Sequence, residues 1–518
     1  MEKPLIYRLS NPGYTIYHRA ALGGLAATVR SWGGHQPQGI TAELSSDGIV
    51  ITWADGLTTQ EALRRILAAS FKLTDDKLID LPGQAVPLGA EDLRLAIHNA
   101  LTSTFLQHNK MRPAPPGEQG ARPFTLKTAD DETGVILTYK AVGQYAHQTA
   151  QKTGLLKETV AREEVAGERL SPVKIPQWCV PGAMGGARDL EAPPENAFLL
   201  MFLMIACPVF ILRSHRREQK AQYCIVVPDV VDLHRFARAL QRIAARSQGI
   251  ERFSNSYLGR VVGGAEEAAL RLLIDLEAED VMPHCSVAGC LAVAMGKVAW
   301  DKNQINRSSS IRLRGHYPEL DVFRAANAYF GSSRVVKGRE GQGYAVPSSP
   351  VPELVAANLA AEQHWCSHFK SLVSDKKDFL RMCYAQRGLK AMKEAVNDAD
   401  DQAIIGAFHE AWRLTMRSLY DRARSERLDG DGLVERERER LRNAILRTKT
   451  ADALSSWFLR FCADATKGAA LGPLRNEAQR IRRFIFNQRN FDRFQNLCLF
   501  ALVSYASDRT QSPIEVKE

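Results

Sequence analysis

The sequence lacks the patterns by which several classes of enzyme are recognised. No Gly-rich loop ends in Gly-Lys-Ser/Thr, and the segment 182–187 has neither the lysine nor the spacing of a phosphate-binding loop. No Gly-x-Ser-x-Gly nucleophile elbow is present. These absences exclude P-loop nucleotide chemistry and hydrolases of the elbow type, and they leave no catalytic residue that the sequence alone supports.

Cysteine and long apolar runs are also scarce. None of the nine cysteines precedes Cys179, and an odd count without regular spacing predicts reduced, buried thiols in a cytoplasm. The longest apolar run, 197–212, holds 16 residues and a proline, whereas a membrane-spanning helix needs roughly 20 residues. A buried helix that runs into a buried strand is therefore expected there. Because the first residues also lack an apolar signal core, we expect a cytoplasmic protein without a membrane partner.

Positive charge is what the sequence has in excess. The formal net charge is +10 and the pI is about 9.1, which favours polyanionic partners such as nucleic acid. A basic protein without such a partner stays open on charge alone. At 518 residues the chain exceeds one compact core, so several domains are expected.

The order of predicted elements indicates an α+β protein. A mixed α/β body over 1–123 and 124–345 precedes a C-terminal all-α helical bundle over 346–518, with the boundary in a stretch rich in Gly, Pro and Ser. The elements predicted in the body are helices over 15–32, 58–71, 91–107 and 234–246, a hairpin over 40–53 with Asp47-Gly48 at its turn, and a buried strand over 222–230.

Histidine and cysteine occur in two clusters that could be tested as metal sites. His284 and Cys285 lie near Cys290, and His364 and His368 would share one face of a helix. Zinc sites usually show paired ligands that are repeated further along the chain, and neither cluster has such a repeat. We therefore predict no metal and no cofactor, and we interpret these residues as interior or interface groups.

Acidic residues are dispersed except at one point. Asp398, Asp400 and Asp401 lie where a helix is expected to begin, and helix capping explains them better than metal-ion catalysis does. A stand-alone metal-dependent nuclease remains the alternative function, and a scaffold that binds acidic proteins is a second one.

The strongest nucleic-acid signal lies near the C-terminus. Residues 441–500 hold eleven Lys or Arg against four acids, and Pro473 is suited to the start of a long helix. The arginines at seven-residue spacing, with one further arginine, are Arg475, Arg482, Arg489 and Arg493. The other face of the predicted helix carries Leu474, Ala478, Ile481 and Ile485. A cationic stripe backed by an apolar face suits binding along a phosphate backbone, although a solvated arginine face is the alternative.

Two loops mix hydrogen-bonding side chains with cations. Asn109, Lys110 and Arg112 follow a helix end and precede a Pro-rich loop, and Asn303, Asn306 and Arg307 lie in a second basic stretch. Asn and Arg are suited to the edges of bases, so we predict duplex DNA contacts at both places. Ordinary loop polarity is the alternative.

Several long strings of the sequence carry a family resemblance. They are PLIYRLSNPGYTIYHRAALGGLAATVRSW, LRLAIHNALTSTFLQHNKMRP, TYKAVGQYAHQ, IPQWCVPGAMGGA and HCSVAGCLAVAMGKVAWDKNQINRSSSIRL, all within about the first 315 residues. Together they resemble large subunits of type I CRISPR effector complexes (Cascade) of the type I-A/I-B-like group. The C-terminal portion is similar mainly in its basic, helical character.

The resemblance implies a non-enzymatic subunit of an RNA-guided DNA-binding complex. Its body would sit at the 5′ end of the guide (CRISPR) RNA and read the motif (PAM) that flanks the target in double-stranded DNA. Its bundle would hold the displaced strand of the R-loop, and the guide would read the rest of the target. The implied partners are backbone, 5′-handle and small subunits, with a recruited helicase-nuclease in antiviral defence or with transposition proteins. In related systems the small subunit starts inside the large-subunit gene, for which Met382 and Met392 are the candidate starts.

Overall fold

The computed structural model of the chain falls into two compact units. It describes residues 4–102, 120–128, 131–142, 173–174, 191–214, 222–246, 253–254, 257–258, 260–278, 286–294, 309–337, 343–466 and 472–506. The first unit comprises residues 1–316 and 332–348, and the second comprises 317–331 and 349–518.

The first unit mixes helices and strands. Its described helices are α1 (Ile16–Trp32), α2 (Thr59–Ser70), α3 (Glu91–Thr102), α4 (Pro194–Leu200), α5 (Leu203–Ala206), α6 (Leu233–Arg246) and α7 (Ala265–Ala278), with a 3-10 turn at Pro82–Gln84. Its strands are β1 (Leu5–Arg8), β2 (Ile40–Leu44), β3 (Gly48–Trp53), β4 (Lys72–Leu73), β5 (Ile79–Asp80), β6 (Ala121–Thr128), β7 (Asp131–Lys140), β8 (Val173–Lys174), β9 (Glu191–Ala192), β10 (Val209–Leu212), β11 (Gln222–Val230), β12 (Phe253–Ser254), β13 (Tyr257–Leu258), β14 (Arg260–Val262), β15 (Val287–Ala294), β16 (Ser309–Arg314), β17 (Ser333–Lys337) and β18 (Gly343–Pro347).

Local sequence signals explain the start of this unit. The predicted hairpin is confirmed, with β2 and β3 antiparallel and β1 added to the outer edge of β3. The predicted helix α2 is opened by a capping box between Thr58 and Glu61. Helix α1 contains a Gly-Gly pair, and Gly24 lies directly against the backbone of Phe202. A Cβ on Gly24 would meet the Phe202 carbonyl oxygen, so glycine is required for this close packing. The prediction of a mixed α/β body is confirmed.

The apolar run over 197–212 forms part of the core and contributes a strand to a five-stranded sheet. The sheet has the order β14-β10-β11-β15-β16, in which only the β10–β14 pair is parallel. Helices α4 and α5 lead into β10, and residues 197–207 are almost fully buried. The expected helix running into a strand is therefore confirmed. Among the described residues, no helix combines the length and the apolar character that a membrane crossing requires.

The described cysteines occupy the interiors of both units. All seven of them are buried: Cys207, Cys224, Cys290, Cys366, Cys383, Cys462 and Cys498. Burial raises the pKa of the Cys462 thiol to about 12, so this side chain stays protonated and behaves as a small apolar group.

The second unit is helical throughout the part that the structure describes. Its helices are α8 (Leu320–Phe330), α9 (Val351–Ala360), α10 (Lys370–Val373), α11 (Lys376–Tyr384), α12 (Gln386–Glu394), α13 (Ala399–Glu426), α14 (Gly430–Arg447), α15 (Ala451–Thr466), α16 (Gly472–Asn476), α17 (Ala478–Ile485) and α18 (Phe491–Ser504), with a 3-10 turn at Gln488–Asn490. The predicted C-terminal helical bundle is confirmed. Helix α18 lies at its centre, because eleven consecutive residues from Phe494 onwards are buried.

Aspartates begin three of these helices. The Asp375 carboxylate accepts hydrogen bonds from the backbone N–H groups of α11, and Asp398 and Asp429 do the same for α13 and α14. Such caps satisfy donors that have no partner within the helix. The capping interpretation of Asp398 is thus confirmed.

In the described part of each unit, a buried histidine stays neutral. In the first unit, His98 Nδ1 accepts a hydrogen bond from the Ile79 N–H, and its Nε2 lies 3.0 Å from the Lys140 carbonyl oxygen. In the second, His409 Nε2 lies 3.1 Å from the Ala501 carbonyl oxygen. Burial lowers the pKa of each imidazole from 6.5 to about 4. The folded chain therefore resists protonation at sites where the unfolded chain takes up a proton.

Acid is expected to destabilise the second unit through His409. Between pH 6.5 and pH 4 the unfolded state binds the proton and the folded state does not, so stability falls as the pH drops through this window. We expect His409→Gln to reduce the loss of unfolding free energy between pH 7 and pH 5 by about 2 kcal/mol. Urea unfolding of the full chain at the two pH values measures the difference.

A histidine on the surface supplies the control for this experiment. His35 is exposed, so His35→Gln removes an imidazole that the fold does not bury and is the reference for the His409→Gln profile. If the unfolding free energies of wild type and His409→Gln change equally with pH, the conclusion that His409 is neutral in the folded state is contradicted.

Candidate nucleic-acid interface

The second unit carries a surface of exposed arginines on three short elements. The segment 472–490 contains five arginines and a single acid, Glu477. All five are exposed, and four of them have no acidic partner within the described part of the chain. These four form what we call the arginine surface: Arg475, Arg482, Arg483 and Arg489. The fifth, Arg480, pairs with Asp400 and Glu477.

Buried groups on the inner side hold the segment in place. Ile481, Phe484 and Ile485 of α17 are buried, as an amphipathic helix requires. The hydroxyl of Ser455 on α15 donates to the carbonyl oxygen of Ile485 at 2.6 Å, and the rings of Phe484 and Phe494 meet edge to face at 6.1 Å. Arg482 and Arg483 therefore project from a helix whose backbone is fixed by packing.

The prediction of one long helix through these arginines is wrong. Glu477 leaves helical backbone geometry with φ −113° and ψ 21°, and Asn487 is extended with ψ 112°. The Asn487 side chain accepts the Arg489 N–H at 3.0 Å, which is the local bond by which asparagine competes with a helix. Arg475, Arg482 and Arg489 thus lie on three separate elements, and Ala478, predicted for the apolar face, is exposed.

Arg493 is corrected from a strand-binding residue to an internal one. Its guanidinium bonds to Asp401 Oδ1 at 2.6 Å and to Asp398 Oδ1 at 2.7 Å, and it lies over the Phe484 ring at 5.2 Å. Two carboxylates already neutralise this cation, and the contacts raise its pKa further. Because these carboxylates occupy its Nε and Nη2 donors, Arg493 is not counted in the arginine surface.

Asp401 is the centre of this internal network. Its carboxylate is fully buried; Oδ1 accepts from Arg493, and Oδ2 accepts from the Trp365 indole N–H at 2.9 Å and lies 2.7 Å from His364 Nε2. Glu319 Oε2 accepts the Trp365 backbone N–H at 3.0 Å. Sequence reasoning found a cap here and missed the network, because its members come from four separate stretches of the chain.

The same residues are the candidate metal ligands of the second unit. Ligand atoms of Glu319, His364 and Asp401 lie within 4.8 Å of one another. However, His364 Nδ1 accepts the Cys366 N–H at 3.3 Å, so its Nε2 carries the proton and donates to Asp401. The Arg493 guanidinium already supplies the positive charge. The donor set therefore fits a closed hydrogen-bond network and does not fit a metal ion.

The predicted pairing of His364 with His368 on a helix is wrong. Both lie in the turns that connect α9 to α10, and His368 has a left-handed backbone with φ 60°. His368 Nε2 lies 3.1 Å from Gln363 Oε1, away from the Asp401 network. Helical spacing therefore does not apply, and the two imidazoles have separate environments.

A second cationic region lies on α11. Lys376, Lys377, Arg381 and Tyr384 line a shallow depression of about 550 Å³ together with Asp375. Two of its cations are neutralised, since Lys376 pairs with Glu439 and Arg381 with Asp378. The arginine surface is therefore the better candidate for a polyanion.

The predicted duplex-contacting residues fall outside the described part of the chain. These residues are Asn109, Lys110, Arg112, Asn303, Asn306 and Arg307. Of the arginines predicted to bind a strand, Arg475, Arg482 and Arg489 are exposed. Arg493 is instead held by Asp398 and Asp401. Arg483 joins the surface, and its signal in the sequence was its position two residues from the buried Ile481 and Ile485.

Comparison with known proteins agrees with the sequence resemblance. Residues 6–201 match the DevT N-terminal domain, and residues 392–518 match the DevT C-terminal domain. The chain is similar to the CRISPR-associated protein Cas8a1/Csx13 of Myxococcus xanthus (strain DK1622), with 26% identity over 491 residues that cover 87% of this chain and 80% of that protein. The two domain matches together span more than half of the chain. The chain therefore carries both DevT domains and, over most of its length, is similar to a CRISPR large subunit, Cas8a1/Csx13.

Proposed function

We propose that this large subunit is non-catalytic and binds nucleic acid within an RNA-guided complex. Its first unit binds the region of the guide RNA 5′ end and recognises the motif that flanks the target in double-stranded DNA. Its second unit holds the displaced strand on the arginine surface. Base pairing by the guide reads the remaining target sequence, so the protein needs cations and a few groove-reading side chains.

The arginine surface is the observation that carries the proposal. Four guanidiniums project into solvent, two of them from the packed helix α17, and the described chain gives them no acidic partner. Unpaired surface cations on a protein with a net charge of +10 are suited to a phosphate backbone. A displaced strand is a single strand without fixed sequence, for which backbone contacts suffice.

Duplex recognition is proposed for the two Asn- and Arg-containing loops. Asn pairs bidentately with adenine and Arg with guanine in the major groove. We assign Asn109, Lys110 and Arg112 to the flanking motif, and Asn303, Asn306 and Arg307 to the duplex beside it or to the guide handle. The proposal for these six residues comes from the sequence and the family alone.

The proposed partners follow from the family. They are the guide RNA, the target DNA, the backbone, 5′-handle and small subunits, and either a recruited helicase-nuclease or transposition proteins. Cleavage or insertion would then belong to these recruited proteins. The proposed location is the cytoplasm, where the DNA and the guide RNA meet.

Binding of single-stranded DNA by the purified full chain tests the proposal. We expect binding whose affinity falls steeply with salt, because each phosphate contact releases counterions and adds about 0.7 to the slope of log affinity against log salt. Fluorescence anisotropy with labelled DNA over a salt series measures the slope. A scaffold for acidic proteins predicts no such binding of DNA.

The same preparation tests the nuclease alternative. Its candidate centre, Asp401 with Glu319 and His364, is closed by protein donors. We therefore expect intact DNA after incubation with Mg²⁺ or Mn²⁺. Cleavage that co-purifies with the wild-type chain would refute the non-catalytic proposal.

A further inference from the structure

One large apolar side chain lies exposed within the arginine surface. Phe486 is 52% exposed, although the residues immediately before it, Phe484 and Ile485, are buried. These two already supply the apolar contacts of α17 with the bundle. The exposed ring of Phe486 is therefore not required for the core, and its face is accessible to a ligand.

Backbone geometry places Phe486 on the same face as two of the arginines. Its N–H bonds to the carbonyl oxygen of Arg482 at 3.3 Å, and its own backbone is right-handed helical with φ −87° and ψ −1°. Residues three and four apart on a helix are neighbours on its surface. Phe486 thus lies beside Arg483 and Arg482. Arg489 follows in the separate 3-10 turn at Gln488–Asn490.

We propose that Phe486 is a base-stacking residue for single-stranded nucleic acid. The arginines would hold the sugar-phosphate backbone while the ring stacks on one base of the strand. An aromatic platform between cations is the arrangement by which proteins bind single strands without reading sequence, because every base offers a π face. The inference rests on the proposed function, since it names the residue that would favour a single strand over a duplex on the same surface.

A duplex distinguishes this role from simple charge attraction. In double-stranded DNA the bases are already stacked on one another, so Phe486 would gain little there. The arginines, in contrast, contact phosphates in either form. Phe486 is therefore expected to set the preference for single strands, and the arginines to set the salt dependence.

The test compares variants of the full chain on three labelled probes. The probes are oligothymidine, an abasic oligomer of the same length, and a duplex. We expect Phe486→Ala to lower the affinity for oligothymidine about tenfold, the lower part of the range for one stacked base, without a change in salt slope. Phe486→Tyr is expected to retain binding, and Phe486→Ala to match wild type on the abasic oligomer.

Tyr329→Ala provides the matched control. Tyr329 on α8 is 56% exposed, so its removal also takes an exposed aromatic ring from the second unit. If Phe486→Ala binds oligothymidine as wild type does while arginine variants bind it weakly, stacking is refuted and the proposed function stands. Phe486 would then be a contact for another protein. If the wild-type chain shows no salt-dependent binding of single strands, both the inference and the proposed function fail.

Discussion

Asp401→Asn is expected to destabilise the second unit by about 3 kcal/mol. Breaking a buried ion pair typically costs about 3–5 kcal/mol, because the remaining charge is left uncompensated. The lower end applies since Arg493 keeps its bond to Asp398. The asparagine amide would also turn a donor towards either the Arg493 guanidinium or the Trp365 indole. Urea unfolding of the full chain, combined with hydrogen exchange of peptides from α13 and α18, measures the effect.

A neighbouring aspartate provides the control for this variant. Asp400→Asn makes the same chemical change one residue earlier, but the Asp400 side chain is about half exposed and, among the described residues, forms an ion pair only with Arg480. Exposed pairs contribute about 0–1 kcal/mol. Equal losses for the two variants would contradict the buried network. Because the network is closed by protein donors, addition of EDTA is expected to leave the stability of wild type unchanged.

Replacing all four residues of the arginine surface by glutamine is expected to weaken single-strand binding about 100-fold at physiological salt. Each lost phosphate contact lowers the salt slope by about 0.7, so the slope should fall by about 3. The residues are Arg475, Arg482, Arg483 and Arg489. The variant should fold normally, since these side chains are exposed and take no part in the packing of α17. Anisotropy over a salt series measures both quantities.

Paired arginines elsewhere on the unit supply a control of equal charge. Four exposed arginines bond to acids three or four residues away on their own helices: Arg413, Arg422, Arg424 and Arg440. Replacing these by glutamine changes the net charge by the same amount. We expect this variant to keep most of its affinity and its salt slope. An equal loss in both variants would indicate attraction by net charge and would contradict a defined strand-binding surface.

The elements that the sequence predicted well are those set by neighbouring residues. The helix that begins after Thr58, the Asp47-Gly48 hairpin and the Asp398 cap each depend on a few adjacent side chains. The apolar run over 197–212 likewise indicated its own burial. Such features need no knowledge of the fold, because the interacting groups are at most a few residues apart.

The predictions that failed depended on partners distant in the chain. The seven-residue spacing of arginines favoured one long helix. In the structure, α17 is short: its residues Ile481 and Ile485 are buried, and after it the Asn487 side chain accepts the Arg489 N–H and prevents the helix from continuing. Helical periodicity describes a face only while the helix continues. The same limit applies to His364 and His368, which were assigned a helical spacing in a region of turns.

The sequence by itself determined the basic character of this protein, its α+β order of elements and its resemblance to CRISPR large subunits. Only the tertiary structure decided which cations are available to a polyanion. The sequence does not distinguish Arg482 from Arg493, since both are arginines in one basic stretch. In the structure Arg482 is exposed, whereas Arg493 is bound by Asp401, which is 92 residues away in the chain. The physical reason is that a charge is neutralised by its neighbours in space, and those neighbours are fixed by the packing of the bundle.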